Sequence, residues 1–345
     1  MMLKIRMRQI YLFFLGILFF SCQGQTENNV QLVPLEVKIE RFDQAFAQLQ
    51  GPLVKEQDDV WQKSYGVFYA DFIPKMLGLD PSYPARWDQL AEVAQNPDFA
   101  ALKKEVQRVF PDLQAEERAL GEALARFQGF FPDQPLPKRF IAFFSGFQTQ
   151  IPVGEDYVGI GLDLFLGADA PFYPALQFQI PRYISRRFTP ENLVPRVMEG
   201  IIHDFWTESS QAEGTFLHQM IEAGKKLYIL EQTLPQSPDS LLIGYTAAQM
   251  AWAEQYEKLT WDWFVHQELL YETDFLRYQK YLNEAPFTAE LGQNNDSAPK
   301  LGVFIGWKMV KHYHKRHANL SLQELIAQKD AQSFLHQSGY RGKSN

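Results

Sequence analysis

The sequence predicts a predominantly helical α+β fold, and three features of the chain predict it. Apolar and aromatic residues recur every three or four positions along most of its 345 residues, which is the helical period. Only two short stretches after Pro137 carry strand character. Prolines and glycines punctuate the periodic segments at intervals too short for long coiled coils.

The first 21 residues are read apart from the fold. Lys4, Arg6 and Arg8 give a positive start, and Ile10 to Phe20 is an eleven-residue apolar run. A membrane span needs about 20 such residues, so this run reads as a bacterial secretion signal. Phe19-Phe20-Ser21-Cys22 closes it. A soluble secreted protein takes small residues at the first and third positions before the cut. Ser21 satisfies one and Phe19 does not. A cut just before Cys22, with acylation of its thiol, fits better and resembles the bacterial lipobox. Leu is usual where Phe19 stands. Cys22 is the only cysteine, so its acylation leaves no disulfide within the chain, and stability must come from a core. Several acyl chains (palmitate and its like) at about 0.8 kcal/mol per buried methylene would hold the protein durably at a membrane. Residues 22–33 read as a polar tether and 34–340 as one globular domain, with a sub-boundary, if any, near 132–137.

Within the body, Leu35, Val37 and Ile39 alternate, and Phe42, Phe46 and Leu49 then take helical spacing. Trp61 to Leu77 is a helical pattern interrupted by Pro74. Trp87 to Ala94, Ala100 to Phe110 and Ala115 to Phe127 are further helices. Phe140 to Phe144 and Tyr157 to Leu166 are the strand candidates, the second following a turn at Pro152 to Gly154. A helix starts at Pro190-Glu191-Asn192 and runs to about Trp206, and another spans Glu213 to Leu230. Ala247 to Tyr256, Trp261 to Leu270, Asp274 to Leu282 and Gly302 to His314 follow. Ser321 to Ala327 opens on a capping box formed by Ser321 and Glu324, and Ala331 to Ser338 ends the chain.

Charge limits the function. The formal net charge is −8, and loss of the signal removes three cations. A nucleic-acid binder needs a positive footprint, so no nucleic acid is expected.

Few residues suggest chemistry. Ile201-Ile202-His203-Asp204-Phe205-Trp206-Thr207 invites comparison with the His-Glu-x-x-His motif, whose imidazoles four apart grip zinc from one helix face while the Glu activates water. Here Asp204 replaces Glu, and Thr207 stands where the second His belongs. On the next helix Ala223-Gly224 offers no acid, and Glu222 would point to a different face. His203, Asp204 and Thr207 therefore read as a degenerate zinc motif, with no metal and no other cofactor expected. His312, His314 and His317 read as part of a basic helix end, where Lys311, Lys315 and Arg316 complement the negative pole of the helix dipole. No Gly-x-Ser-x-Gly elbow surrounds Ser145. Gly159-Ile160-Gly161 lacks the third glycine of a dinucleotide loop. Asp156, Asp163 and Asp169 match no calcium loop, and Asp163 is expected to bond within the fold. The aromatics of Trp252 to Tyr271 and Val303 to Val310 are expected in the core.

Five stretches together resemble the gliding-motility lipoprotein GldB family of Bacteroidetes. They are Tyr65 to Phe72; Gly161 to Gly167 with Tyr173-Pro174; Pro181 to Phe188; Glu222 to Tyr228; and Asn283 to Phe287 followed by Gly302 to Val310. The resemblance implies a zincin-like core with a small sheet, a metallopeptidase scaffold that has lost catalysis. It also implies a cell-envelope lipoprotein facing the periplasm, with protein partners in the gliding and type IX secretion machinery. Two other readings stay open: a zinc-dependent metallopeptidase using His203, and a periplasmic ligand-binding lipoprotein. An enclosed apolar pocket with convergent polar groups would be the sign of the latter.

Overall fold

A computed structural model describes residues 33–49, 54–80, 86–206, 214–292 and 294–342. Cys22, the signal segment, the tether and Thr207 lie outside the described residues. From Val33 onward the described residues form one compact unit. Among the described residues there are fifteen α-helices and one three-stranded sheet, so the structure is predominantly helical with a small sheet.

The sheet is parallel throughout, in the order β1 (Ile39–Arg41), β2 (Arg139–Phe143), β3 (Tyr157–Gly161), with Ile39 opposite Phe140 and Phe140 opposite Val158. β1 uses the end of the Leu35-Val37-Ile39 alternation. β2 and β3 are buried at nearly every position, which is why they read as apolar runs rather than as alternation. The return segment runs antiparallel on β3: Gly159 donates to Pro152 and Gly161 to Gln150, both at 2.8 Å.

β3 ends at Gly161, earlier than the expected Leu166. The cause is Asp163, which is fully buried. Its carboxylate accepts from the Ser145 amide (2.7 Å), the Ser145 hydroxyl (2.9 Å) and the Phe147 amide (2.7 Å). These bonds tie the chain after β3 to the chain after β2 and turn residues 162–164 into a 3₁₀ turn.

Five helices separate β1 from β2: α1 (Phe42–Ala47), α2 (Val54–Asp71), α3 (Arg86–Gln95), α4 (Pro97–Val109) and α5 (Gln114–Phe130). α2 breaks at Gly66, whose φ of 50° and ψ of −119° are not helical. Pro74 does not stop the chain; it sits in a wide π turn, Phe72–Met76. Pro97 is the first residue of α4 behind the Asn96 cap, where its missing N–H costs nothing. Phe42 lies at the centre of an aromatic nest, edge-on to Trp61, Phe68 and Phe72 at 5.0–5.3 Å.

After β3 come α6 (Arg182–Ser185), α7 (Leu193–Trp206), α8 (Phe216–Thr233), α9 (Asp239–Ile243), α10 (Ala247–Gln255), α11 (Glu257–His266), α12 (Phe275–Tyr278), α13 (Leu301–Arg316), α14 (Leu322–Ala327) and α15 (Ala331–Ser338). The Ser321–Glu324 capping box is present. α8 and α13 pack most extensively, because two glycines let their backbones meet. A Cβ on Gly306 would stand 1.8 Å from the Met220 carbonyl oxygen, and one on Gly224 would stand 2.3 Å from the Gly306 carbonyl carbon. Phe304, Trp307 and Phe264 are fully buried, and Trp252 and Trp261 nearly so, so these aromatics are core as expected, whereas Tyr256 and Trp263 are half-buried and Tyr271 is exposed. No helix among the described residues is long and apolar enough to cross a membrane.

Candidate functional site

α7 is amphipathic. Leu193, Val197, Met198 and Ile202 enter the core, which leaves its other faces to border three hollows. His203 and Glu199 sit one helical turn apart and line two of them. One is a cavity of about 410 Å³ shared with α8, α9 and the start of α13. The other is a cleft of about 460 Å³ that includes Gln150, Ile151 and Arg196. Asp204 faces a third hollow, of about 360 Å³, beside Ile201 and Phe205. Successive helical residues point about 100° apart, so His203 and Asp204 diverge.

Glu222, expected on a different face from Ala223 and Gly224, lines neither hollow that His203 borders; its carboxylate reaches the end of α7 and accepts from the Trp206 indole at 2.9 Å. Its other oxygen accepts from Lys225 at 2.7 Å, one helical turn further along α8. Lys225 is 0% exposed and Glu222 7%, and the ammonium also donates to the carbonyls of Ile326 and Gln328. Burial pushes the Glu222 carboxyl up, and Lys225 with Trp206 more than offsets it, so it sits below its ordinary value. Burial holds the Lys225 ammonium below its own. A fixed lysine thus neutralises this acid from inside the protein. Sequence reasoning missed the pair, although Glu222 and Lys225 stand at i, i+3, a spacing at which helical side chains meet.

The 410 Å³ cavity has the other concentration of charge. Glu284 accepts from Arg187 and from Lys300, each at 2.6 Å. Lys300 also donates to the Ile243 carbonyl at 2.6 Å, and Arg196 donates to Glu199 at 2.5 Å. Burial raises the Glu284 carboxyl, but Lys300 and Arg187 bring it below its usual range. Lys226, from α8, lines the same cavity. Burial lowers its ammonium, with Glu222 acting in the opposite sense. The walls include Ile202, Leu227, Leu230, Leu242 and Ile243.

The three imidazoles at the end of α13 have separate local partners or ring contacts. His314 lies between the Tyr228 hydroxyl (2.7 Å) and the Leu320 carbonyl (3.0 Å). His317 bonds the Tyr313 carbonyl, and His312 packs edge-on to Tyr340. Among the described residues no group of three or more His, Cys, Asp or Glu side chains is placed to hold a metal ion.

The sequence profile of the family described as gliding motility protein GldB matches residues 23–342, and the chain belongs to that family. No curated protein and no solved structure matches it.

Proposed function

We propose that this member of the GldB family is a non-catalytic envelope lipoprotein, acylated at Cys22 and facing the periplasm. It acts as an interaction protein of the gliding and type IX secretion machinery. The family match over nearly the whole chain carries this reading. The lipobox-like Phe19-Phe20-Ser21-Cys22 supports the anchor, which would confine the body to a membrane surface and raise its effective concentration near envelope partners.

A zincin-like ancestry that has lost its chemistry is part of the proposal. The ancestry rests on the sequence resemblance alone, and two observations support the loss of chemistry: His203 and Asp204 face different hollows, and the acid on the following helix is bound to Lys225 and Trp206. A zinc peptidase needs three protein ligands that converge on one open position.

The test is a chromosomal deletion complemented by variants, read by colony spreading and by export of secreted proteins. The deletion should stop spreading. Cys22→Ala should move the protein to the soluble fraction and fail to complement. His203→Ala should complement fully. A deletion strain normal in both assays overturns the role. Stoichiometric zinc in the purified protein, lost together with spreading on His203→Ala, overturns the non-catalytic reading.

A further inference from the structure

We propose that the cavity between α7, α8, α9 and the start of α13 binds a small monoanionic amphiphile of the medium-chain fatty-acid type. Its carboxylate would sit on Lys226, and its hydrocarbon body would lie along Leu227, Leu230, Leu242 and Ile243. The inference does not depend on the motility role.

Four observations carry it. The volume of about 410 Å³ falls among small-molecule sites, which are mostly apolar with a few converging polar groups. That description matches a wall of aliphatic side chains with Lys226, Lys300, Glu199 and Glu284 among them.

The local charge is opposite to that of the whole protein. The chain is acidic, at −8. The cavity wall holds Lys226 and Lys300 with Glu284 and Glu199, Arg187 and Arg196 lie against those two carboxylates, and Glu222 adds a third negative charge near Lys226, so four cations meet three acids. The field inside therefore favours an anion that the rest of the surface repels.

The cations differ in what they already hold. Lys300 and Arg187 share Glu284, and Arg196 holds Glu199. Lys226 has no hydrogen bond or ion pair with any of the described residues, although it is half-buried. An ammonium withdrawn from water without a partner is costly, and a carboxylate arriving there would form a charge-assisted hydrogen bond.

The number of uncommitted charges sets the ligand's charge. One free lysine suits a monoanion. A phosphate dianion would need a second cation, and the nearest ones are fixed on carboxylates. The placement of Lys226 follows from the helix: Ala223, Lys226, Leu227 and Leu230 form one stripe at i, i+3, i+4, i+7, so the ammonium and the aliphatic wall share one face of α8.

The experiment uses the full acylated chain in lipid nanodiscs, with empty discs as the blank. Octanoate, octanol, octylammonium and octyl phosphate are titrated by calorimetry. Octanoate should bind saturably and at least about tenfold more tightly than octanol, the worth of one hydrogen bond to a charged group. Octylammonium should not bind, and octyl phosphate should bind more weakly than octanoate. Lys226→Met should erase the preference for octanoate over octanol without lowering the thermal unfolding midpoint, since it removes a half-buried charge. Ala223→Phe, which fills the cavity, should abolish both. Equal affinities for octanoate and octanol, no saturable binding, tighter binding of octyl phosphate, or an unaffected Lys226→Met protein would each overturn the proposal. Should Ala223→Phe fail to fold, the Lys226→Met comparison decides alone.

Discussion

Gly306→Ala adds one methyl group where α13 crosses α8, and its effect follows from the geometry of that crossing. The new Cβ would lie 1.8 Å from the Met220 carbonyl oxygen and 2.5 Å from its carbon. Both are backbone atoms, so no rotamer change relieves the contact. Carbon contacts settle at about 3.5–4.0 Å, so the helices must separate by roughly 2 Å at this point. Phe304, Ile305, Trp307 and Met309 on α13, with Leu217 and Met220 on α8, are all fully buried there. A gap of about 1 Å already forfeits up to half of each contact's attraction. Overpacking of this kind costs about 1–3 kcal/mol, occasionally more. Alanine's better helix propensity returns about 1 kcal/mol. Backbone on both sides of the contact places the cost at the upper end, so the net loss should be about 2 kcal/mol. Gly200→Ala is the control. It sits in α7 and gains the same propensity, but its Cβ would meet side-chain atoms alone, Ile151 Cγ2 at 2.9 Å and Val153 Cγ2 at 3.6 Å, on a loop segment that can give by a few tenths of an ångström. Urea unfolding followed by tryptophan fluorescence should show Gly306→Ala destabilised and Gly200→Ala within about 0.5 kcal/mol of the parent. Equal behaviour of the two variants would refute the reasoning.

Lys225→Met leaves the buried Glu222 carboxylate only the more distant, half-exposed Lys329 at 4.0 Å and should cost about 3 kcal/mol, the low end for a broken buried pair, whereas replacing both residues by apolar ones of similar volume should recover most of it; denaturant midpoints of the single and double variants check this. The Glu222 carboxyl lies below its ordinary value in the folded state, so its stabilising contribution is complete above the unfolded value of about 4.3. It is lost as pH falls through the lower folded value. Glu222→Gln should therefore flatten the acid side of the stability profile below about pH 4, measured by urea midpoints against pH. Asp163→Asn keeps one acceptor oxygen and turns an NH₂ toward the donors of Ser145 and Phe147. It should cost about 1–3 kcal/mol and speed hydrogen exchange at those two amides; unchanged protection would show that the carboxylate does not hold the turn.

The chain alone determined the local elements. Period-3.6 patterns marked most helices because each buries one stripe, and Ser321 with Glu324 announced the start of α14 because the capping box is a contact within four residues. The misses were local too, and one of them had a neighbour from elsewhere as its cause. β3 stopped at Gly161 because Asp163 reaches back 18 residues to Ser145. α2 bent at Gly66, where no proline marks the break. The sequence also established that His203, Asp204 and Thr207 do not spell an intact zinc motif. Only the tertiary structure decided what fills that region: Glu222 meets Trp206 across two helices, and Glu284 collects Arg187 and Lys300 from segments 97 and 16 residues away. Helical stripes are written in short-range spacing. Which charges face one another depends on how helices cross, and here the crossing of α8 and α13 is set by two glycines whose missing side chains leave no periodic signal.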